Sequence, residues 1–291
     1  MVSAPSRIRR PARSEEYDMA SVTATDGTRL AYEEYGVGAP MVFIAGWSLS
    51  ADMWEHQVPR FVAEGYRCVM LDRRGHARSE RPSGGYDLDM LSDDIHSLLT
   101  ELDLRDVTII GHSFGGVEVA HYLARHGSER IARAVFLAAC LPSMKRSEAN
   151  PEGVPPEAIE LTMAELRADR PKWLAKSAQA YFATHLFNDV SPALIDDTVR
   201  QCLNVAPMAA FTLQEANLNA AHEDTLPDID VPVLVLHGAA DASAPVHFTG
   251  RRTAAAIPGC VYHEYPTAGH GLYVTHADVV NTDILDFVKA S

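Results

Sequence analysis

Ser113 lies in the hexapeptide Gly111-His112-Ser113-Phe114-Gly115-Gly116. A serine hydroxyl is a poor nucleophile alone. It gains reactivity when a base accepts its proton, a carboxylate orients the base, and amide donors hold the oxyanion that attack creates. The flanking sequence suits that chemistry: Val107-Thr108-Ile109-Ile110 reads as a buried strand, and residues 117–126 carry a helical pattern. Gly-x-Ser-x-Gly between a strand and a helix is a nucleophile elbow, a tight turn that strains the serine backbone and lifts its hydroxyl clear of the sheet. The glycines leave room for strand and helix to approach each other.

A serine so placed is followed along the chain by its acid and then its base. Asp241 stands in Gly238-Ala239-Ala240-Asp241-Ala242-Ser243-Ala244-Pro245, just after the apolar run Val231-Pro232-Val233-Leu234-Val235-Leu236-His237. His270 stands in the turn-rich Pro266-Thr267-Ala268-Gly269-His270-Gly271-Leu272, after a strand over residues 261–265. The expected catalytic set is therefore Ser113, Asp241 and His270. Among the thirteen histidines the rivals are His112, His237 and His276. Neighbouring side chains diverge at a sharp turn, so His112 is expected to pack or to add polarity to the pocket, and His237 to make structural hydrogen bonds. An acid after the strand over residues 132–138 is ruled out, because Ala139-Cys140-Leu141-Pro142 holds no carboxylate. The expected oxyanion donors are the backbone N–H groups of Phe114, next to the nucleophile, and Trp47, where Gly46 permits close approach. Asp72-Arg73-Arg74-Gly75-His76-Ala77-Arg78-Ser79 could recognise substrate through Arg73 or Arg74, but is read as a loop braced by its own charges.

The elements that position these residues alternate. Asp26-Gly27 predicts a two-residue hairpin turn between short strands. Met41-Val42-Phe43-Ile44-Ala45 and Arg67-Cys68-Val69-Met70-Leu71 read as strands, and helices are expected over residues 53–63 and 88–102, the latter with Asp93-Asp94 exposed. Strands alternating with helices imply a parallel sheet covered on both faces. From residue 141 to 225 the rhythm stops in favour of helical segments broken by prolines, and it resumes at residue 231. The division expected is a flexible tail over 1–20, an α/β core over 21–140 and 226–291, and a helical cap inserted over 141–225.

The chain has 291 residues with 47% hydrophobic content, enough for one large core. A net charge of −14 argues against nucleic acid or an anionic membrane as partner, which leaves a small-molecule substrate, with self-association into a homo-oligomer left open. Cys68, Cys140, Cys202 and Cys260 are widely spaced, without the pattern of disulfides or zinc. No apolar run is of membrane-spanning length, and Arg9-Arg10 is not followed by a hydrophobic segment, so the reading is cytoplasmic.

Taken together these stretches resemble the α/β-hydrolase superfamily, and within it the cofactor-free bacterial haloperoxidases, or non-haem chloroperoxidases, which are esterases and perhydrolases by chemistry. The residues that carry the likeness are Gly46-Trp47-Ser48-Leu49-Ser50-Ala51-Asp52-Met53-Trp54, the Asp72 to Ser79 octapeptide, the elbow with Glu118-Val119-Ala120, Ala149-Asn150-Pro151-Glu152-Gly153, Val231 to Gly238, and His270-Gly271-Leu272 with Thr275-His276-Ala277. The resemblance implies an eight-stranded, mostly parallel sheet and an enzyme without metal or cofactor: Ser113 as nucleophile, His270 as base, Asp241 as its acid, and Trp47 and Phe114 as amide donors. The expected function is hydrolysis of a carboxylic ester or lactone through an acyl-enzyme, with perhydrolysis as a side activity. Alternatives on the same scaffold are a non-hydrolytic isomerase, lyase or cyclase of a biosynthetic pathway, or a ligand-binding receptor. The chain departs from the family at Ala45-Gly46, at Phe114, and at Gln214-Glu215-Ala216-Asn217-Leu218-Asn219 in the cap.

Overall fold

A computed structural model describes residues 19–290, so all of the expected tail except Met19 and Ala20 lies outside the described residues. Eight strands form one sheet: β1 (Ser21–Thr23), β2 (Arg29–Tyr35), β3 (Pro40–Ile44), β4 (Arg67–Leu71), β5 (Val107–His112), β6 (Ile131–Leu137), β7 (Val233–Gly238) and β8 (Val261–Tyr265), in the spatial order β1-β2-β4-β3-β5-β6-β7-β8. The pairs β1–β2 and β2–β4 are antiparallel, and every pairing from β4 to β8 is parallel. The helices are α1 (Val58–Ala63), α2 (Leu88–Glu101), α3 (Phe114–His126), α4 (Pro156–Ala168), α5 (Arg170–Tyr181), α6 (Pro192–Leu203), α7 (Pro207–Asn219), α8 (Gly250–Ala256), α9 (Leu272–Thr275) and α10 (Ala277–Ala290).

Side chains on a strand alternate between faces, and here both faces are buried, so the central strands read as unbroken apolar runs. Val42, Ile109 and Phe136 pack into one core, shared with α2 and α3. Their neighbours Phe43, Ile110 and Leu137 pack into the other, shared with α1 and α10.

Between β6 and β7 the chain forms α4 to α7. Of the prolines read as breaks, Pro156, Pro171 and Pro192 occupy first-turn positions of helices, as does Pro207, where the missing N–H would have no intrahelical acceptor, while Pro142, Pro151 and Pro155 lie outside the helices. Asp169 and Ser191 cap α5 and α6 by accepting from Lys172 N and Leu194 N.

Three local expectations are corrected. The helix expected over 53–63 divides into a 3₁₀ turn, Ala51–Trp54, and the short α1, where Pro59 in the first turn has no N–H to donate back to the preceding segment. The hairpin loop has three residues between the Ala24–Thr28 pair, with Gly27 N donating to Ala24 O and Gly27 at φ +87°, a turn closed by a bulge. Asp94, expected exposed, is buried and accepts from Arg74 Nε and Nη2 at 2.6 Å each, while Arg74 Nη1 reaches Asp26 at 2.9 Å.

Candidate active site

β5 delivers Ser113 to the turn before α3. Its backbone sits at φ 54°, ψ −119°, a conformation that non-glycine residues rarely adopt, and Ser113 N is tied to Leu137 O at 3.0 Å. The turn closes only because its flanks lack side chains: a Cβ on Gly115 would lie 2.3 Å from Ile44 O, and one on Gly111 2.5 Å from Gly115 O. The spacing of the hexapeptide is thus a packing requirement between β3, β5 and α3.

The loops after β7 and β8 bring Asp241 and His270 to Ser113. Ser113 Oγ lies 2.7 Å from His270 Nε2, and His270 Nδ1 lies 2.7 Å from Asp241 Oδ2. A carboxylate only accepts, so Nδ1 carries the proton toward Asp241, and Nε2 of the neutral ring is left to accept from the Ser113 hydroxyl. Ser243 N and Ala244 N hold the other oxygen of Asp241 at 2.8 and 2.7 Å. Burial works against charge on Asp241, but the facing imidazoles of His270 and His237 outweigh it and hold the carboxyl below the usual carboxylate range.

The rival histidines lie around this chain of hydrogen bonds. His237 donates from Nε2 to Ala244 O at 2.8 Å and also lies 3.3 Å from Asp241 Oδ2, a second contact on the acid that its place at a strand end did not announce. His112 donates from Nε2 to the carbonyl of His270 at 3.0 Å; burial, then the neighbouring His270, draws its pKa down to about 3, so it stays neutral. His276 Nε2 pairs with Thr267 Oγ1 at 3.1 Å, outside the group.

The Gly46-Trp47 segment after β3 comes close to Ser113: a Cβ built on Gly46 would lie 3.5 Å from Ser113 Cβ. Phe114 opens α3, so its N–H has no acceptor within the helix. The Trp47 indole Nε1 donates to Ala210 O of α7 at 2.9 Å, and its ring meets Trp173 of α5 edge-on at 5.9 Å. The loop beside Ser113 is therefore also anchored to the cap helices.

The charged loop Asp72 to Ser79 lies beneath. Asp72 accepts from Ala51 N at 2.9 Å and from Arg78 Nε at 2.6 Å. Buried Arg73 forks onto Glu118 of α3 and donates to the carbonyls of Ala45 at 2.6 Å and Gly46 at 3.3 Å. Both arginines face protein groups, and Arg73 carries a contact the sequence reading missed, to the backbone of the Gly46-Trp47 segment.

Ser113 and His270 open into a cavity of about 450 Å³, lined on the cap side by Ile159 of α4, Trp173 of α5, Val199 of α6 and Asn217 of α7. Cys140, read as a residue outside any disulfide or zinc pattern and as the absence of an acid, lies at Ser113 with Sγ 3.6 Å from Ser113 Oγ; burial pushes its thiol up to about 11, which keeps it protonated. Tyr181 of α5 meets His270 edge-on at 5.1 Å. All four cysteines are free thiols, and among the described residues no group of three His, Cys, Asp or Glu side chains is arranged to hold a metal ion. No helix of the described residues is long and apolar enough to cross a membrane.

The model of the α/β hydrolase fold family matches residues 39–277, which includes every residue of the hydrogen-bonded chain. The chain belongs to the α/β hydrolase fold family. Within it, the protein is 39% identical over 276 residues to the non-heme chloroperoxidase of Streptomyces lividans, covering 94% of this chain and all of that one. It is 33% identical over 278 residues to the bifunctional esterase/perhydrolase DCH of Acinetobacter calcoaceticus, again covering 94% of this chain and all of the relative. The crystal structure of a bromoperoxidase from Bacillus anthracis superimposes with a TM-score of 0.87 at 33% identity, covering 93% and 100% of the two chains. An esterase of Exiguobacterium antarcticum superimposes with a TM-score of 0.89 at 26% identity, covering 93% and 99%. The hydrolase fold, with a mostly parallel sheet and helices inserted between β6 and β7, is the one expected from the sequence.

Proposed function

We propose that this α/β hydrolase cleaves carboxylic esters through an acyl-enzyme on Ser113, with His270 as general base and acid and Asp241 as the group that orients it. One observation carries the reading: the hydrogen-bonded chain from Ser113 through His270 to Asp241, at 2.7 Å in each step, opens into a cavity of small-molecule size. Residues 141–225 act as the cap on a core of 21–140 and 226–291, and the setting is the cytoplasm.

Attack by Ser113 Oγ on the ester carbonyl carbon passes the hydroxyl proton to His270 Nε2, and the imidazolium is stabilised by Asp241. The oxyanion is received by the N–H groups of Phe114 and Trp47. Arg73 supports the second donor. The Gly46–Trp47 peptide is planar and trans, and Arg73 Nη1 holds the Gly46 carbonyl at 3.3 Å, so the Trp47 N–H points away from the guanidinium. As the tetrahedral intermediate collapses, the proton moves from Nε2 to the leaving alkoxide, the C–O bond breaks and the alcohol departs. Water then gives a proton to Nε2 and attacks the acyl carbon, releasing the acid and restoring the hydroxyl. A lactone follows the same course, its alcohol remaining tethered to the acid. Hydrogen peroxide in place of water gives a peracid, a branch favoured by the relatives named as a chloroperoxidase and as an esterase/perhydrolase.

Mixing the protein with excess p-nitrophenyl butyrate is expected to give a burst of nitrophenol equal to the enzyme concentration before the steady rate, wherever deacylation is the slower half. Rapid quenching and mass measurement then show an added butyryl group. A nitrophenol burst with no added butyryl group contradicts the acyl-enzyme.

A further inference from the structure

Helix α5 roofs the reaction cavity from one side of the candidate site to the other. Near its start Trp173 meets the Trp47 ring edge-on at 5.9 Å, and at its end Tyr181 meets His270 edge-on at 5.1 Å and accepts through its carbonyl from Gly271 N at 2.8 Å. Trp173, Ser177 and Tyr181 line the cavity one turn apart, with Lys176 and Ala180 beside them at the edge of that face. Four of the lining residues are exposed: Lys176 and Ala180 on α5, and Ala242 and Ser243 in the loop after β7. They mark the mouth. Lys176 is the charged residue among them, and the lining holds no Asp, Glu or Arg. Among the described residues the Lys176 ammonium has neither an ion pair nor a hydrogen bond, whereas Arg167, Arg200 and Lys289, also on helices, pair with Glu215, Asp197 and Glu64.

We infer that Lys176 selects esters whose alcohol part carries a carboxylate, which its ammonium meets at the mouth. The inference rests on the acyl-enzyme reading, in which His270 Nε2 returns the proton to the leaving alkoxide, so the alcohol part lies on the His270 side of Ser113. The mouth opens on that same side: Ala242 and Ser243 follow Asp241, and Ala180 precedes Tyr181, whose ring meets His270. Apolar walls concentrate the field of a cation at such an opening, while a net charge of −14 opposes the approach of anions to the molecule as a whole. An unpaired ammonium at the entrance is therefore what lets an anionic ester in. The contact is exposed, so its effect is moderate and is weakened by salt. A neutral alcohol leaves the ammonium in water and gains nothing from it.

The test compares kcat/KM for 4-(butyryloxy)benzoate, whose phenol carries the carboxylate, with that for methyl 4-(butyryloxy)benzoate, in which the carboxylate is masked. The difference in intrinsic reactivity between the two esters is common to every protein tested and cancels. At low salt the ratio of acid to methyl ester is expected to fall by about threefold to fivefold in Lys176→Met. Lys172→Met, which removes a cation of α5 that does not line the cavity, is expected to lower it by less than half as much. In wild type alone, raising sodium chloride to about 0.5 M is expected to lower the ratio by a similar factor, which decides the matter even if Lys176→Met fails to fold. A ratio unchanged in Lys176→Met, lowered as much in Lys172→Met, or flat or rising with salt in wild type overturns the inference and leaves the acyl-enzyme in place. Turnover of neither ester by wild type overturns the hydrolase reading and this inference with it.

Discussion

At Ser113 the strained backbone and the useful hydroxyl are the same feature: a φ of 54° is tolerated because Leu137 O holds the amide and two glycines allow strand and helix to close around it. In the proposed mechanism Asp241 fixes the tautomer of His270, which it meets at 2.7 Å. In Asp241→Asn the amide donates to Nδ1, which places the ring proton on Nε2 and leaves no acceptor for the Ser113 hydroxyl. The expected loss in kcat is about 10³- to 10⁴-fold with the fold retained by circular dichroism, and a rate within about threefold of wild type contradicts this role. The meeting of Ser113, Asp241 and His270 was legible because such a group is tied to chain order and to loops at strand ends. The places of Lys176 and Cys140 were not. A lysine on a helix reads as a solvated face, and a cysteine after a strand reads as filler, until the tertiary fold brings both to one cavity.

At the scale of elements, the Arg73–Glu118 pair links the loop after β4, helix α3 and the segment after β3. Its worth to catalysis lies in the carbonyls it holds. Arg73→Lys keeps the charge but loses the planar fork, so it cannot serve Glu118, Ala45 and Gly46 together. The expected result is a kcat lower by about 10- to 100-fold with a much smaller change in KM, because the Trp47 amide acts on the oxyanion more than on bound ester. An equal effect on both constants contradicts that assignment. A tighter constraint operates at Gly115, where alanine brings Cβ to 2.3 Å from Ile44 O; Gly115→Ala is expected to cost about 3 kcal/mol or more in a denaturant titration. The alternation of strands and helices was readable because both faces of a parallel sheet demand apolar residues. Element edges were less so: Pro59 has no N–H to join α1 to the turn before it, and Asp94 looked exposed because its partner, Arg74, which it shares with Asp26, comes from a distant part of the chain. The strand order, in which β4 lies between β2 and β3, follows from crossovers that local sequence does not encode.

Across the whole molecule, burial of charge-capable groups sets the pH response. His76 and His112 are lowered to about 3 and His222 to about 4, in each case chiefly by burial. Unfolding returns them to about 6.5, so the unfolded chain binds more protons as pH falls through that value, and the stability these neutral rings lend above it is lost. Asp72 and Asp94, raised by burial to about 6, act in the opposite sense and offset part of the loss. The net expectation is a melting temperature lower by on the order of 5 °C at pH 5.5 than at pH 7.5, measured by calorimetry. A flat or rising trend contradicts it. Helices α4 to α7 line one side of the cavity and the loops around Ser113 and His270 the other.

The identity of the nucleophile is tested by trapping. Wild-type protein and Ser113→Ala are each incubated with a fluorophosphonate, digested, and the peptides sequenced by mass spectrometry, alongside ester turnover by both. One phosphonyl group on Ser113 of the wild type, none on the variant, and a rate lower by about 10⁴-fold or more in the variant are expected. Label on another residue, or ester turnover retained by Ser113→Ala, contradicts the acyl-enzyme on Ser113.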